Sequence, residues 1–328
     1  MRTLPPLLSD QQLTEALAGF PSYASPPSLY RFQSNAGLSA LTEGKLKITP
    51  PDEFNDPFEM SPGIAVDGLS KDDLRRSFLS PRGLSREGHA HRFENEKAYR
   101  DWVERVVIMA PHLWGKHLDA MRNAPVQGTS ETYGITCFSA FPEAVLNGPL
   151  GIRHWAMYAK DHTGFVIEYD GRHALLKSWA TSKWLFPVAY QKNRPIVNIA
   201  EFDEWTQEKA VQVLRRWSEM KCKQAWGEEM EWRLICPLAP DPQNRVEISS
   251  MTVDGRKLHF LHLWKSDALT GQRDAKAIKR VILGVRVDAK LEADIKATMA
   301  TPDFQHAELH RAILCERDFA LRTEPVKP

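Results

Sequence analysis

The sequence predicts an α+β fold, and three observations carry that prediction. Strand-like and helix-like patterns are mixed without the regular β-α-β-α alternation of a parallel sheet. Neither G-x-G-x-x-G nor G-x-x-x-x-G-K-[ST] occurs, which removes the Rossmann and P-loop readings. A charged stretch over 70–121 has a helical pattern and reads as a helical insertion between strands.

In chain order, 1–27 reads as a helix near Asp10–Leu17 followed by a Pro/Ser linker, Pro21–Pro27. The main domain, 28–328, opens with a strand at Leu29–Gln33. Ser34 or Asn35 can cap a helix with Leu38 and Leu41 on one face, and Gly44 closes it. Lys45–Thr49 alternates polar and apolar, as a half-buried strand does. Within the insertion, Ser70-Lys71-Asp72-Asp73 offers a helix start, and Trp102, Val106, Val107 and Met109 form an apolar stripe. Pro81–His91 reads as a loop between the helical parts.

Tyr133–Ser139 is a strand with Ile135, Cys137 and Ser139 on one face and Thr136 and Phe138 on the other. Gly151–Ala159 fits a helix, turned by Asp161–Gly164 into a strand at Phe165–Tyr169. Trp184–Gln191 is a further strand and Glu201–Lys223 a long amphipathic helix with Trp205, Val213, Leu214 and Trp217 for burial. An acidic strand, Glu229–Cys236, follows it. Strands near Val246–Val253, Lys257–Leu263 and Val281–Val287, a helix at Ala289–Met299 and a segment at Ala312–Leu321 complete the order.

The chain has 328 residues, enough to bury a substantial core. Its 43 basic and 42 acidic residues leave a formal charge of +1, so nucleic acid is not indicated as the main partner. A local basic patch from Lys177, Lys183, Lys192 and Arg194 is the one feature pointing the other way. Cys137, Cys222, Cys236 and Cys315 show no C-x-x-C spacing, and His154 and His162 lack the i,i+4 spacing of a helical zinc site, so no metal is expected. Prolines break the N-terminus before an apolar core develops, and no eighteen apolar residues run together. The expectation is a cytoplasmic protein without a membrane partner.

The residues that point to chemistry begin with Glu229-Met230-Glu231. On a strand both carboxylates face one way, their Cα atoms about 6.5–7 Å apart, and like charges so close call for a cation or polar substrate. An edge strand with Arg233 pairing the acids is the structural alternative. Arg31, in the apolar run Leu29-Tyr30-Arg31-Phe32, is either a bidentate phosphate or carboxylate donor or a strand arginine paired with an acid. Asn55 and Asp56, in Phe54-Asn55-Asp56-Pro57-Phe58-Glu59, form a turn anchored by Phe54 and Phe58, which serves a rigid loop or a pocket wall. Ser139 is a hydroxyl at a strand end, without the G-x-S-x-G setting of a nucleophile. Trp155 and Tyr158, three apart on a helix, are a stacking pair or part of the core.

These blocks, in this order, resemble a bacterial family of unknown function, number 2971. The resemblance spans roughly 28–290 and rests on Leu29–Phe32, Phe54–Glu59, Cys137–Ser139, Trp155–Tyr158 with Gly164–Asp170, and Trp226–Arg233. An early Arg, a middle Ser and a late Glu-x-Glu are, more loosely, similar to the R-S-E arrangement of ADP-ribosyltransferases. That second resemblance implies a mixed, mainly antiparallel β core and NAD as substrate. It implies Arg31 on the NAD phosphates, Ser139 on the nicotinamide ribose, Glu231 on the ribose 2′-hydroxyl and Glu229 at the acceptor. Phe138, Trp155 or Tyr158 would stack on nicotinamide. The expected reaction transfers ADP-ribose to a macromolecular or small-molecule acceptor, with hydrolysis of NAD as its simpler variant. By fold analogy such an enzyme would serve in defence or as a toxin. A non-catalytic nucleotide sensor or protein-interaction domain is the alternative.

Overall fold

The computed structural model describes residues 10–56, 58–65, 70–79, 90–108, 130–198, 207–238, 247–264 and 275–327. Its strands are β1 Ser28–Gln33, β2 Lys45–Ile48, β3 Gly63–Ala65, β4 Tyr133–Ser139, β5 Phe165–Asp170, β6 Leu185–Pro187, β7 Ala189–Gln191 and β8 Ile196–Asn198. Then come β9 Met220–Cys222, β10 Glu231–Pro237, β11 Glu247–Val253, β12 Arg256–His262, β13 Ile278–Leu283, β14 Glu308–Leu314 and β15 Leu321–Pro325. The helices are α1 Asp10–Ala16, α2 Ser39–Thr42, α3 Lys71–Leu79, α4 Glu96–Ile108, α5 Glu143–Asn147, α6 Pro149–Tyr158, α7 Ala174–Thr181, α8 Gln207–Ser218, α9 Lys223–Trp226 and α10 Ala289–Met299.

Contacts divide the chain into two compact units, the first made of 1–20, 50–134 and 189–227 and the second of 21–49, 135–188 and 228–328. The second unit holds an eight-stranded sheet in the order β15-β14-β13-β5-β1-β4-β10-β6, and a three-stranded sheet, β11-β12-β2. Antiparallel pairing dominates: β1 with β4 and β5, β13 with β5, β10 with β6, and β14 with β15. Strands β13 and β14 run parallel. Parallel neighbours need a crossover, and α10 supplies it. Its N-terminus is capped by Asp288, whose carboxylate accepts from Leu291 N at 2.8 Å. The expected α+β class with a mainly antiparallel sheet is therefore what the second unit has.

Alternation along the central strands sends side chains into two cores. Leu29, Phe138, Phe165, Ile167, Tyr169, Leu234 and Val281 pack on one face with Leu46, Ile48 and Leu261 of the smaller sheet and with Leu176, Leu291 and Ile295 of α7 and α10. Tyr30, Val166, Ile282 and Ala312 pack on the other with Leu146 of α5 and Trp155 of α6. Each such side chain contributes roughly 1.5–3 kcal/mol on full burial. Burial on both faces explains why Phe165–Tyr169 reads as a continuous apolar run interrupted only by Glu168.

The first unit is mainly helical. Tyr99, Val103 and Val107 of α4 pack with Phe78 of α3, and Trp102 and Val106 lie partly buried beside them. Arg75 of α3 pairs both nitrogens of one edge with Glu104 of α4, at 2.7 and 2.9 Å. The two-stranded pairs β3-β8 and β7-β9 are parallel.

Several boundaries differ from expectation. The predicted helix Glu201–Lys223 is helical over Gln207–Ser218, with 199–206 outside the described residues. It ends because Met220–Cys222 pairs with β7, a tertiary contact that overrides helical periodicity. The predicted strand Trp184–Gln191 is divided: Leu185–Pro187 pairs with β10 and Ala189–Gln191 with β9. Val281–Val287 is shifted to Ile278–Leu283, and Ala312–Leu321 is two strands joined by a hairpin. Ser34 makes no side-chain cap bond, and the predicted helix is instead a 3-10 turn, Asn35–Gly37, and the four-residue α2, with Leu38 at their junction and Leu41 in α2. Gly44 does close that segment at φ +67°, where a Cβ would lie 2.7 Å from the Trp264 ring. Most of the predicted loop Pro81–His91, and Met109, lie outside the described residues.

Candidate functional site

The acid pair stands where β10 begins. Met230 has φ +46°, a left-handed backbone uncommon outside glycine, so the strand starts at Glu231 and not at Glu229 as predicted. Glu229 thus reaches its place through a turn, and strand alternation does not position it. Ala140 N donates to Met230 O at 2.9 Å, which fastens this turn to the end of β4.

Both carboxylates are buried, Glu229 to 5% and Glu231 to 6% exposure, and each has its own donor. Tyr158, the last residue of α6, donates its hydroxyl to Glu229 Oε1 at 2.5 Å. Arg233, wholly buried on β10, grips Glu231 with Nε to Oε1 at 2.8 Å and Nη2 to Oε2 at 3.2 Å. This fork is the pairing that suits a guanidinium and a carboxylate. Burial, reinforced by the hydrogen bond to Glu229, pushes the Tyr158 phenol above the ordinary tyrosine range, so it stays a proton donor. Its ring is 39% exposed, which leaves one accessible aromatic surface beside two covered acids. At the rim, Arg153 of α6 pairs with Glu228 at 3.1 Å.

Ser139 belongs to this face. It pairs with Tyr30, whose ring enters the core of Trp155, and the Ala140–Met230 bond sets the end of β4 beside the acids. Leu234 and Cys236 point to the opposite core, which leaves Glu231 and Arg233 on the side of α6 and Ser139.

Arg31 lies on the other face. The Tyr30–Ser139 register puts Arg31 beside Phe138 and Thr136, away from Ser139 and Glu231. Its Nη1 donates to Thr136 Oγ1 at 2.7 Å and Cys137 O at 2.9 Å, and Nη2 to Lys47 O at 3.1 Å. No carboxylate pairs with it among the described residues, so the expected acid partner is absent there; Nε and the nearby Tyr169 hydroxyl have no hydrogen-bond partner. Burial lowers the pKa of this guanidinium, yet arginine keeps its charge. The three-residue constellation is thus split by the sheet: Ser139 with the acids, Arg31 behind them.

Two of the three expected stacking rings are core residues. Phe138 is 2% exposed and meets Tyr169 edge-on, while Trp155, at 1%, lies between Phe32 and His162. Their faces are taken by packing, and only Tyr158 offers a ring. Asn55 and Asp56 belong to the first unit, where Asp56 Oδ1 accepts from Phe58 N at 2.9 Å as an Asx turn does. Phe58 does not anchor that turn from inside, being 62% exposed.

One polar network was not anticipated. Glu168 on β5 is buried and takes Ser28 Oγ at 2.6 Å, Arg280 Nε at 2.7 Å and Lys279 Nζ at 3.0 Å, while Arg280 also reaches Glu143 of α5. Burial opposes its charge, but the Ser28 bond and the two cations prevail and hold its pKa below the usual carboxylate range. The sequence carries a signal for it: Glu168 is an acid inside the apolar run Phe165–Tyr169, and Lys279-Arg280 is a pair of cations ahead of the apolar run Val281–Leu283.

Among the described residues no group of three or more His, Cys, Asp or Glu side chains is arranged to hold a metal ion. No described helix is long and apolar enough to cross a membrane. Residues 154–234 match the model of a family described as a protein of unknown function (DUF2971). That segment carries Trp155, Tyr158, Glu229, Glu231 and Arg233, and is narrower than the 28–290 over which the sequence blocks resemble the family. No curated protein and no solved structure matches the chain.

Proposed function

We propose that the second unit is a glycosyl-transfer enzyme using NAD, with the acid pair as its working centre. One observation carries this reading: two buried carboxylates, each held by a separate donor, share a face with Ser139 and the exposed ring of Tyr158. Cleavage of the nicotinamide–ribose bond sends the bonding electrons to the ring nitrogen, releases neutral nicotinamide and leaves positive charge on the ribose. A fixed carboxylate favours that charge more than the ground state. Glu231, oriented by Arg233, is assigned to the ribose 2′-hydroxyl. Glu229 receives the proton of the acceptor as it adds to the ribose, and Tyr158 passes its hydrogen bond to that carboxylate and stacks on nicotinamide. Ser139 holds the ribose. Arg31 is on the far face, so Arg153 replaces it in this scheme as the cation for the phosphates.

One observation favours a second reading, a non-catalytic nucleotide sensor. Both carboxylates already have donors, and a protected acid pair suits binding as well as turnover. The two separate in one assay. Wild-type protein and Glu231→Gln are incubated with NAD labelled in the nicotinamide, with and without a cell lysate. Release that disappears in the variant supports the enzyme, and binding without release supports the sensor. Neither binding nor release rejects both.

A further inference from the structure

The first unit has a hollow of about 210 Å³ that the acid site does not use. It is lined by Asp56, Phe58, Met60, Lys192, Asn193 and Trp217, among others. We propose that it is a second ligand site, for a small zwitterion of the apolar α-amino-acid type.

Asp56 is the acidic residue in this lining. Its side chain is 7% exposed, and among the described residues its only polar contact is the Phe58 N–H on Oδ1. A carboxylate has sites for about four hydrogen bonds, so Asp56 keeps acceptor capacity for a donor in the hollow, and its oxygens are not among the buried side-chain atoms sealed without a partner. Lys192 and Asn193 line the same hollow, and their side chains make no ion pair or hydrogen bond among the described residues. The hollow thus offers an acid without a cation and a cation without an acid, and the two do not bridge each other. A ligand carrying both charges at short separation satisfies both at once, its ammonium on Asp56 and its carboxylate on Lys192 and Asn193.

The remaining cations are engaged elsewhere. Arg194 donates to Ser61 O at 2.6 Å and Ser61 Oγ at 2.7 Å and stands over the Phe58 ring, and Lys221 lies over the Trp226 ring. Met60 and Trp217 give the hollow an apolar floor, and the exposed Phe58 ring gives it an apolar wall. A volume below the roughly 300–1,000 Å³ of drug-sized pockets suits a molecule the size of one amino acid. The proposal does not depend on the glycosyl-transfer reading.

The test is calorimetric titration of the full chain with L-leucine, isopentylamine and 4-methylpentanoate, the last two each lacking one charge. L-leucine is expected to bind, and each analogue to bind at least about tenfold more weakly, as loss of a charge-assisted contact does. Asp56→Asn keeps an oxygen for the Phe58 N–H and is expected to lose at least about tenfold in leucine affinity, as is Lys192→Met. Leucine failing to bind, either analogue matching leucine, or a folded Asp56→Asn binding as the wild type does would overturn the proposal. If Asp56→Asn fails to fold, the two analogues on the wild-type chain decide alone.

Discussion

The hydroxyl of Tyr158 donates to Glu229 Oε1 at 2.5 Å, although 71 positions separate the two residues in the chain. The contact joins the end of α6 to the turn before β10 and keeps Glu229 oriented while it is covered. A hydrogen bond to a charged group contributes about 1.5–3 kcal/mol. Tyr158→Phe keeps the ring and removes only the hydroxyl. It should destabilise the protein by about that amount in urea unfolding, and lower nicotinamide release while NAD binding persists.

The Glu231–Arg233 fork has a different signature. Arg233→Ala removes the guanidinium that grips a buried carboxylate, and breaking a buried ion pair in this way typically costs about 3–5 kcal/mol. Glu231→Gln retains a hydrogen-bond acceptor and should cost less. Chemical denaturation of the two variants side by side should give this order.

Arg31 offers a test of the sheet's two-faced arrangement. Because it points away from Ser139 and Glu231, Arg31→Met should keep nicotinamide release within a few-fold of the wild type, measured per folded protein. Loss of turnover in a folded Arg31→Met protein would mean that the substrate reaches both faces.

The Glu168 network predicts a pH dependence. The folded-state pKa of Glu168 is depressed, so its contribution to stability is present above the unfolded value and is lost as pH falls through the folded one. The wild type should therefore lose stability below about pH 4.3, the ordinary glutamate value, and Glu168→Gln should lose less over the same range. Thermal unfolding between pH 3 and 7 measures the difference.

Gly164 should not tolerate a side chain. A Cβ there would lie 2.0 Å from the Gln33 carbonyl oxygen, which is backbone and cannot swing away. Gly164→Ala should destabilise by at least about 1–3 kcal/mol, the cost of overpacking a tight site, read as a lowered unfolding midpoint.

The parts of this architecture that the sequence makes legible are those set by local periodicity. Tyr133–Ser139 and Ala289–Met299 have the bounds their patterns predict, because alternation in one and the helical stripe in the other coincide with burial. The division of Ser139 from Phe138 between faces follows from the same period of two. What periodicity does not carry is the path between elements. Met230 reads as an ordinary strand residue until its left-handed backbone ends the strand, and this moves Glu229 off the alternation that seemed to place it. The R-S-E resemblance sets Arg31 with the acids because the three residue types follow one another in order along the chain. Which face Arg31 takes depends on its register with β4, a long-range pairing that no local pattern encodes. Trp155 and Phe138 show the limit of composition: aromatic residues near a polar motif serve the core here.

The central claim, that the acid pair breaks the nicotinamide–ribose bond, is tested most directly by following nicotinamide released from NAD by wild-type protein and by Glu231→Gln. Release by the wild type that falls about 10²–10³-fold in a folded variant is the predicted result. No release by the wild type, with no NAD binding by calorimetry, would contradict it and leave Glu231 and Arg233 as a structural ion pair.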